Sequence, residues 1–369
     1  MIERYGHGGD IWTAAETYQL NPDQLLDYSS NINPFGIPSR LLPELQKRMP
    51  EIVRYPDPSC RNLRKQLSKT LATNISPDHI LVGNGGAECL HLAVTALAPE
   101  KVGIIYPSFS EYESISVQAG CQIVGIPTTA ENNFLPKVDD LLLQVKHVDM
   151  LFLGHPNNPT GNYLQPRELL QVAEACEEEQ TYLCVDEAFI DFIADGDSLS
   201  LLPHITKFKH VLVFRSMTKM FAIAGLRLGY VVSQPDVIEK LSRKQISWSV
   251  NHLAQIAGEL LLEEHDFVEE TKRYVKNERE RITGILRSIS ELICYPSEVN
   301  YLLLQLKTIS SATLQEEMAK RGVLIRNCSM YPGLTDGFIR IAIKTKEEND
   351  IMIAVLMQAL QAITYNGEE

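Results

Sequence analysis

Lys219 lies in the segment 216–230, where Ser216 stands three residues before it and Arg227 eight after. A lysine amine condenses with an aldehyde only when unprotonated, a state favoured by burial and by nearby cationic groups. A hydroxyl and a fork of guanidinium donors suit a dianionic phosphate. Alone, Ser-x-x-Lys also describes many ordinary surface turns. Three further features accompany it. Asp186 closes the apolar run Leu183-Cys184-Val185, where a carboxylate can face a positive charge or cap a helix. Asn157-Asn158-Pro159-Thr160-Gly161 is a tight turn. Gly85-Gly86-Ala87 precedes an apolar helical run over 89–97, and the start of a helix offers free N–H groups and the positive end of its dipole to an anion.

The elements that must position these residues are legible as apolar runs. Short β-rich stretches at 80–82, 102–106, 122–126, 150–153, 182–185, 211–214 and 228–232 alternate with helical patterns, which predicts a mostly parallel sheet with crossover helices. Several runs end directly in the polar or glycine-rich segments just named. In open α/β sheets ligands bind beyond the carboxyl ends of the strands, so these segments are expected to converge on one site. After about Trp248 the pattern turns long, charged and helical, then returns to strands at 301–306 and 338–343. Three regions are expected: an arm over 1–30, a large domain over 31–250, and a smaller α/β domain over 251–369.

Composition narrows the function classes. The chain has 369 residues, 44% apolar and 22% charged, with a formal charge of −13. That length can bury a large core, and the composition is globular. The net charge opposes binding to nucleic acid or an anionic membrane, so an anionic small molecule would need a focused arginine pocket. The seven cysteines are scattered and form no Cys-x-x-Cys pair, which suggests neither a metal site nor a disulfide framework. No stretch has the apolar length of a signal peptide or a bilayer span. A cytoplasmic protein that takes a small-molecule substrate is the expectation.

Together, in this order, the motifs resemble those of fold-type I pyridoxal-phosphate enzymes of the aspartate-aminotransferase fold. The resemblance spans most of the chain, from Asn31 to Arg340. It implies an α/β architecture with a large domain, built on a mostly parallel mixed sheet, and a smaller C-terminal α/β domain. It also implies pyridoxal 5′-phosphate as cofactor, bonded covalently to Lys219. Ser216, Thr218 and Arg227, with the cup formed by Gly85, Gly86 and Ala87, would hold the cofactor's phosphate side. Asp186 would pair with the ring nitrogen, Asn158 would donate to the phenolic oxygen, and Phe109 would stack on the ring. Tyr55 resembles the tyrosine that family members lend to the neighbouring subunit's phosphate, which implies a homodimer.

Two narrower groups of phosphorylated-amine enzymes share these motifs, the histidinol-phosphate aminotransferases and the threonine-phosphate decarboxylases. The opening His7-Gly8-Gly9-Asp10 and the stretch Asn31-Ile32-Asn33-Pro34 resemble the decarboxylases, so His7, Gly8 and Asn31 are expected to contact substrate together with Asn158. Arg340 matches the family's carboxylate-binding arginine, and Arg326 resembles the additional anion ligand of the phosphate-substrate members. Phe189 stands where many aminotransferases of this group carry tyrosine, and it cannot donate a hydrogen bond to the ring oxygen. The expected activity is decarboxylation of L-threonine O-3-phosphate to (R)-1-amino-2-propanol O-2-phosphate for cobalamin biosynthesis. The alternatives are a histidinol-phosphate or related aminotransferase and, from another class, a non-catalytic pyridoxal-phosphate-binding regulator.

Overall fold

The computed structural model describes residues 8–71 and 74–366; the call on His7 lies outside them. Its main element is a seven-stranded sheet of β2 (Ile80–Gly83), β3 (Lys101–Tyr106), β4 (Gln122–Pro127), β5 (Met150–Gly154), β6 (Tyr182–Asp186), β7 (Val211–Ser216) and β8 (Gly229–Val232). The spatial order is β2-β8-β7-β6-β5-β3-β4. β8 runs antiparallel to both neighbours, and the other pairings are parallel. All seven expected strands are present. Every residue of β2, β5, β7 and β8 is buried, as expected when helices cover both faces of a sheet and the strands read as continuous apolar runs.

The second sheet is antiparallel, β12-β13-β10-β9, built from β9 (Leu292–Cys294), β10 (Tyr301–Leu306), β12 (Arg326–Asn327) and β13 (Phe338–Ala342). Sequence patterning anticipated β10 and β13 only. The segment leading out of the arm joins this unit, because β1 (Leu26–Asp27) pairs in parallel with β11 (Val323–Leu324). Tyr28 is fully buried in the same core, with its hydroxyl on Asn349 Oδ1 at 3.0 Å.

Helix His265–Leu286 connects the two units. At 22 residues it is about 33 Å long, with Val275 in the core of the large sheet and Ile282 and Leu286 in that of the small one. Helix His252–Leu261 follows the boundary expected at residue 250, yet Ala254, Ile256, Ala257 and Leu261 are buried in the large-sheet core. We therefore propose that the division falls within the long helix.

Candidate active site

A cavity of about 650 Å³ opens where the carboxyl ends of β6 and β7 meet the turn after β5. Its position follows from the parallel strands of the sheet, whose carboxyl ends face one side, β8 alone among the seven running the other way. Lys219 stands in the turn after β7. Its amine is pushed down from the usual lysine range to about 8, chiefly by burial and further by the charges of Arg340 and Arg227, while Asp27 acts in the opposite direction. The backbone of the lysine turn is pinned from the arm side: Asn33 N–H donates to the Lys219 carbonyl at 3.1 Å, and Asn33 Nδ2 donates to the Met220 carbonyl at 2.6 Å.

One flank of the cavity is a compact anion cradle. Ser216 and Thr218 hydroxyls lie 2.8 Å apart, and both residues line the cavity with Arg227, Gly86 and Ala87. Gly85 caps helix Gly86–Leu97 with φ +82°. A Cβ built there would lie 2.5 Å from the Arg227 guanidinium, so the absence of a side chain lets the arginine lie against the helix start. Serine and threonine hydroxyls, a guanidinium and helix N–H groups form a donor set suited to a phosphate.

Phe109, Asp186, Phe189 and Asn158 also line the cavity. Arg340 is 4% exposed. One of its terminal nitrogens donates to Asn158 Oδ1 and the other to the Ser29 carbonyl at 2.6 Å, and its guanidinium lies 5.4 Å from the Tyr301 ring centre. Its Nε is buried without a hydrogen-bond partner among the described residues. Arg326, 1% exposed, is not on the cavity wall itself; it lies 5.4 Å from the ring centre of Tyr331, which is.

The arm closes the top. Gly8, Gly9, Ser29, Ser30 and Asn31 line the cavity, and Gly9 N–H donates to Ser29 Oγ at 2.8 Å. A Cβ on Gly8 would lie 2.1 Å from the Ser29 carbonyl oxygen, the same oxygen that receives Arg340. Asp27 organises the turn by accepting from the Ser29 N–H at 2.9 Å and from the Ser30 hydroxyl. Asp-x-Ser-Ser is a recognisable Asx-turn signal, but sequence reading did not select Asp27, Ser29 or Ser30. Tyr112 and Tyr331 were also missed.

Tyr55 lies elsewhere. It is 81% exposed, outside the cavity lining, with its ring 4.9 Å from that of Trp248. Beneath the site, Glu187 is fully buried and accepts from Arg215 Nε at 2.8 Å, Ser200 Oγ at 2.8 Å and Leu201 N–H at 2.9 Å. A buried ion pair with its remaining lone pairs satisfied fixes geometry, here that of the adjoining ends of β6 and β7. Among the described residues no cluster of three or more His, Cys, Asp or Glu could hold a metal ion, and no helix is long and apolar enough to cross a membrane.

A family model described as aminotransferase class I and II matches residues 23–356. The chain is similar to the threonine-phosphate decarboxylase of Salmonella typhimurium, 36% identical over 361 residues that cover 97% of each chain. Among solved structures it resembles a histidinol-phosphate aminotransferase from Clostridium acetobutylicum, with a TM-score of 0.85 and 32% identity over 90% of this chain and 98% of that one. It also resembles L-threonine-O-3-phosphate decarboxylase from Porphyromonas gingivalis, with a TM-score of 0.79 and 25% identity over 90% and 99%.

Proposed function

The chain belongs to the class I and II aminotransferase family and is an enzyme, and on that premise we propose that it decarboxylates L-threonine O-3-phosphate with pyridoxal 5′-phosphate as cofactor. The product would be (R)-1-amino-2-propanol O-2-phosphate, used in cobalamin assembly in the cytoplasm. The residues fit the cofactor. Ser216, Thr218, Arg227 and the Gly85–Ala87 turn would hold its phosphate, Lys219 its aldehyde, and Asp186 its ring nitrogen. Asn158 and the face of Phe109 would meet the ring. When bound, the cofactor withdraws electrons from the bonds around the substrate's amine-bearing carbon. The protein's part is to choose which bond is held perpendicular to the ring.

One observation carries the choice of substrate. Arg326 and Arg340 are direct cross-strand partners in the β12–β13 pair, so two buried guanidiniums stand on one face of the small sheet. Two guanidiniums on one face suit a ligand with two anionic groups, with Arg340 on the cavity wall and Arg326 behind Tyr331. Threonine phosphate carries a carboxylate and a phosphate on one molecule; histidinol phosphate carries no carboxylate, and in a transaminase only the 2-oxoglutarate acceptor would present two anionic groups. Arg340, held by Asn158 and Ser29, orients one anionic group; the arm over the cavity excludes water. Lys219 Nζ, with its acidity near neutral, can return a proton to the substrate carbon after carbon dioxide leaves. Transamination is the second reading, favoured by the 32% identical aminotransferase structure and disfavoured by Phe189, which offers the ring oxygen no donor.

We also propose that the enzyme is a homodimer in which Tyr55 reaches the partner's phosphate site; its high exposure and outward position support this reading. The deciding experiment is incubation with threonine phosphate, with and without 2-oxoglutarate, while carbon dioxide and keto acid are measured. Stoichiometric carbon dioxide without an acceptor is expected. Amino transfer from histidinol phosphate to 2-oxoglutarate, with no carbon dioxide from threonine phosphate, would establish the second reading.

A further inference from the structure

Asp186 is the last residue of β6, and its carboxylate receives two donors. Tyr112 Oη–H reaches Oδ2 at 2.7 Å, and the Ala188 N–H reaches Oδ1 at 3.1 Å. Tyr112 is buried on the first turn of helix Glu111–Gln118. Its ring lies parallel to that of Phe152, 4.9 Å away with an interplanar angle of 2°, and edge-on to Phe109 at 5.7 Å and 86°. One side chain therefore touches both the carboxylate and the aromatic wall of the cavity. Burial, reinforced by Asp186, pushes the Tyr112 phenol well above its usual range, so it remains a donor throughout the physiological range.

We propose that Tyr112 is a positioning residue, whose hydroxyl holds the Asp186 carboxylate ionised and in one orientation while its ring sets the plane of Phe109 beside it. This rests on the reading of the cavity as a pyridoxal-phosphate site. Burial raises the Asp186 carboxyl above its ordinary value, and the bonds from Tyr112 and Ala188 counter that rise. The other groups around Asp186 are Glu187, Cys184 on the same strand, Cys89 on helix Gly86–Leu97, and Tyr301 on β10. Burial pushes both thiols and the Tyr301 phenol upward, so they stay uncharged near neutral pH, and Glu187 is held by Arg215. Among the side chains around Asp186, Tyr112 is the one whose hydroxyl bonds directly to its carboxylate.

The test compares wild-type, Tyr112→Phe and Phe152→Leu proteins loaded with pyridoxal phosphate. It reads the cofactor dissociation constant and the visible absorbance of the bound cofactor as a function of pH. Loss of a hydrogen bond to a charged group predicts cofactor binding weaker by about tenfold or more in Tyr112→Phe. The acid limb of the absorbance titration should move upward by about one pH unit, because Asp186 then takes its proton more readily. Phe152→Leu, which removes packing but keeps the hydroxyl, should lower Tm and leave that limb in place. An unchanged dissociation constant and titration in Tyr112→Phe would overturn the proposal, as would an equal shift in Phe152→Leu, which would reduce Tyr112 to packing. Wild-type protein that takes up no pyridoxal phosphate overturns the cofactor reading itself, and the proposal with it, an outcome separate from the other two.

Discussion

Lys219 lines the cavity, and desolvation of its amine, helped by the charges of Arg340 and Arg227, pushes it down from the ordinary lysine value of 10.5 to about 8. A nucleophilic amine loses reactivity about tenfold for each pH unit below its own pKa, so this shift raises the reactive fraction at neutral pH more than a hundredfold. The rate at which cofactor-free protein takes up pyridoxal phosphate should therefore rise steeply up to pH 8 and level off above it, with Lys219→Ala showing no borohydride-stable attachment. A rate that keeps rising through pH 10, or trapping at another lysine, would show that the buried amine is not the reacting one. Lys219, Ser216 and Arg227, which all line one cavity, could be singled out in the sequence through the resemblance of their segment, together with the other motifs in order. Tyr112 could not, since nothing local marks a tyrosine on an ordinary helix as the donor to a carboxylate 74 residues away. Arg326 and Arg340 were each legible as cationic residues after apolar runs, but their direct opposition depends on a strand register that no local pattern encodes.

At the scale of elements, the seven strands of the large sheet could be read because strands buried on both faces leave unbroken apolar runs. The two- and three-residue strands β1, β9, β11 and β12 could not, because they are too short to show a period and exist only through long-range pairing. Helix His252–Leu261 bears on the proposed domain boundary for a related reason: it follows the change of pattern at Trp248, yet its buried residues pack in the large-sheet core. The turn from β2 into helix Gly86–Leu97 is where an element's geometry bears most directly on the site. Gly85 has a positive φ of +82° that L side chains rarely adopt, and an added Cβ would meet the Arg227 guanidinium. Gly85→Ala should thus strain the turn and displace Arg227 together. The strain lowers fold stability by about 1–3 kcal/mol, while displacement of a charged donor weakens cofactor binding by about 1.5–3 kcal/mol. Cofactor affinity measured by equilibrium dialysis should fall by about one to two orders of magnitude, while Gly86→Ala, which meets nothing within 4 Å, should fall less. Equal affinities for wild type and Gly85→Ala would mean that Arg227 does not serve the phosphate.

The whole molecule carries a net charge of −13 yet gathers Arg227, Arg340 and Lys219 on the wall of one cavity, with Arg326 behind Tyr331, so cationic potential is focused where an anionic substrate would enter. The outer surface has a different concentration, of apolar side chains: Ile52, Val53 and Tyr55 on one segment, with Ile246 and Trp248 on another, are all exposed, and the Tyr55 and Trp248 rings lie 4.9 Å apart, tilted by 34°. Exposed apolar side chains joined across two segments in this way are characteristic of protein interfaces. If a second copy covers it, Tyr55 is brought to the partner's phosphate cradle and each site is complete only in the dimer. Val53→Glu with Ile246→Glu places two charges in that surface. Because both positions are exposed in the single chain, each change should alter its stability by no more than about 0.5 kcal/mol, whereas unpaired charge at an interface costs several kcal/mol. Sedimentation should therefore show wild type as a dimer and the double variant as a folded monomer, with cofactor affinity and decarboxylation both sharply reduced. Tyr55→Phe in the intact dimer should weaken cofactor binding about tenfold through loss of one charged hydrogen bond. A double variant that sediments as a monomer and keeps full activity would remove both the dimer and the role of Tyr55 in the neighbouring site.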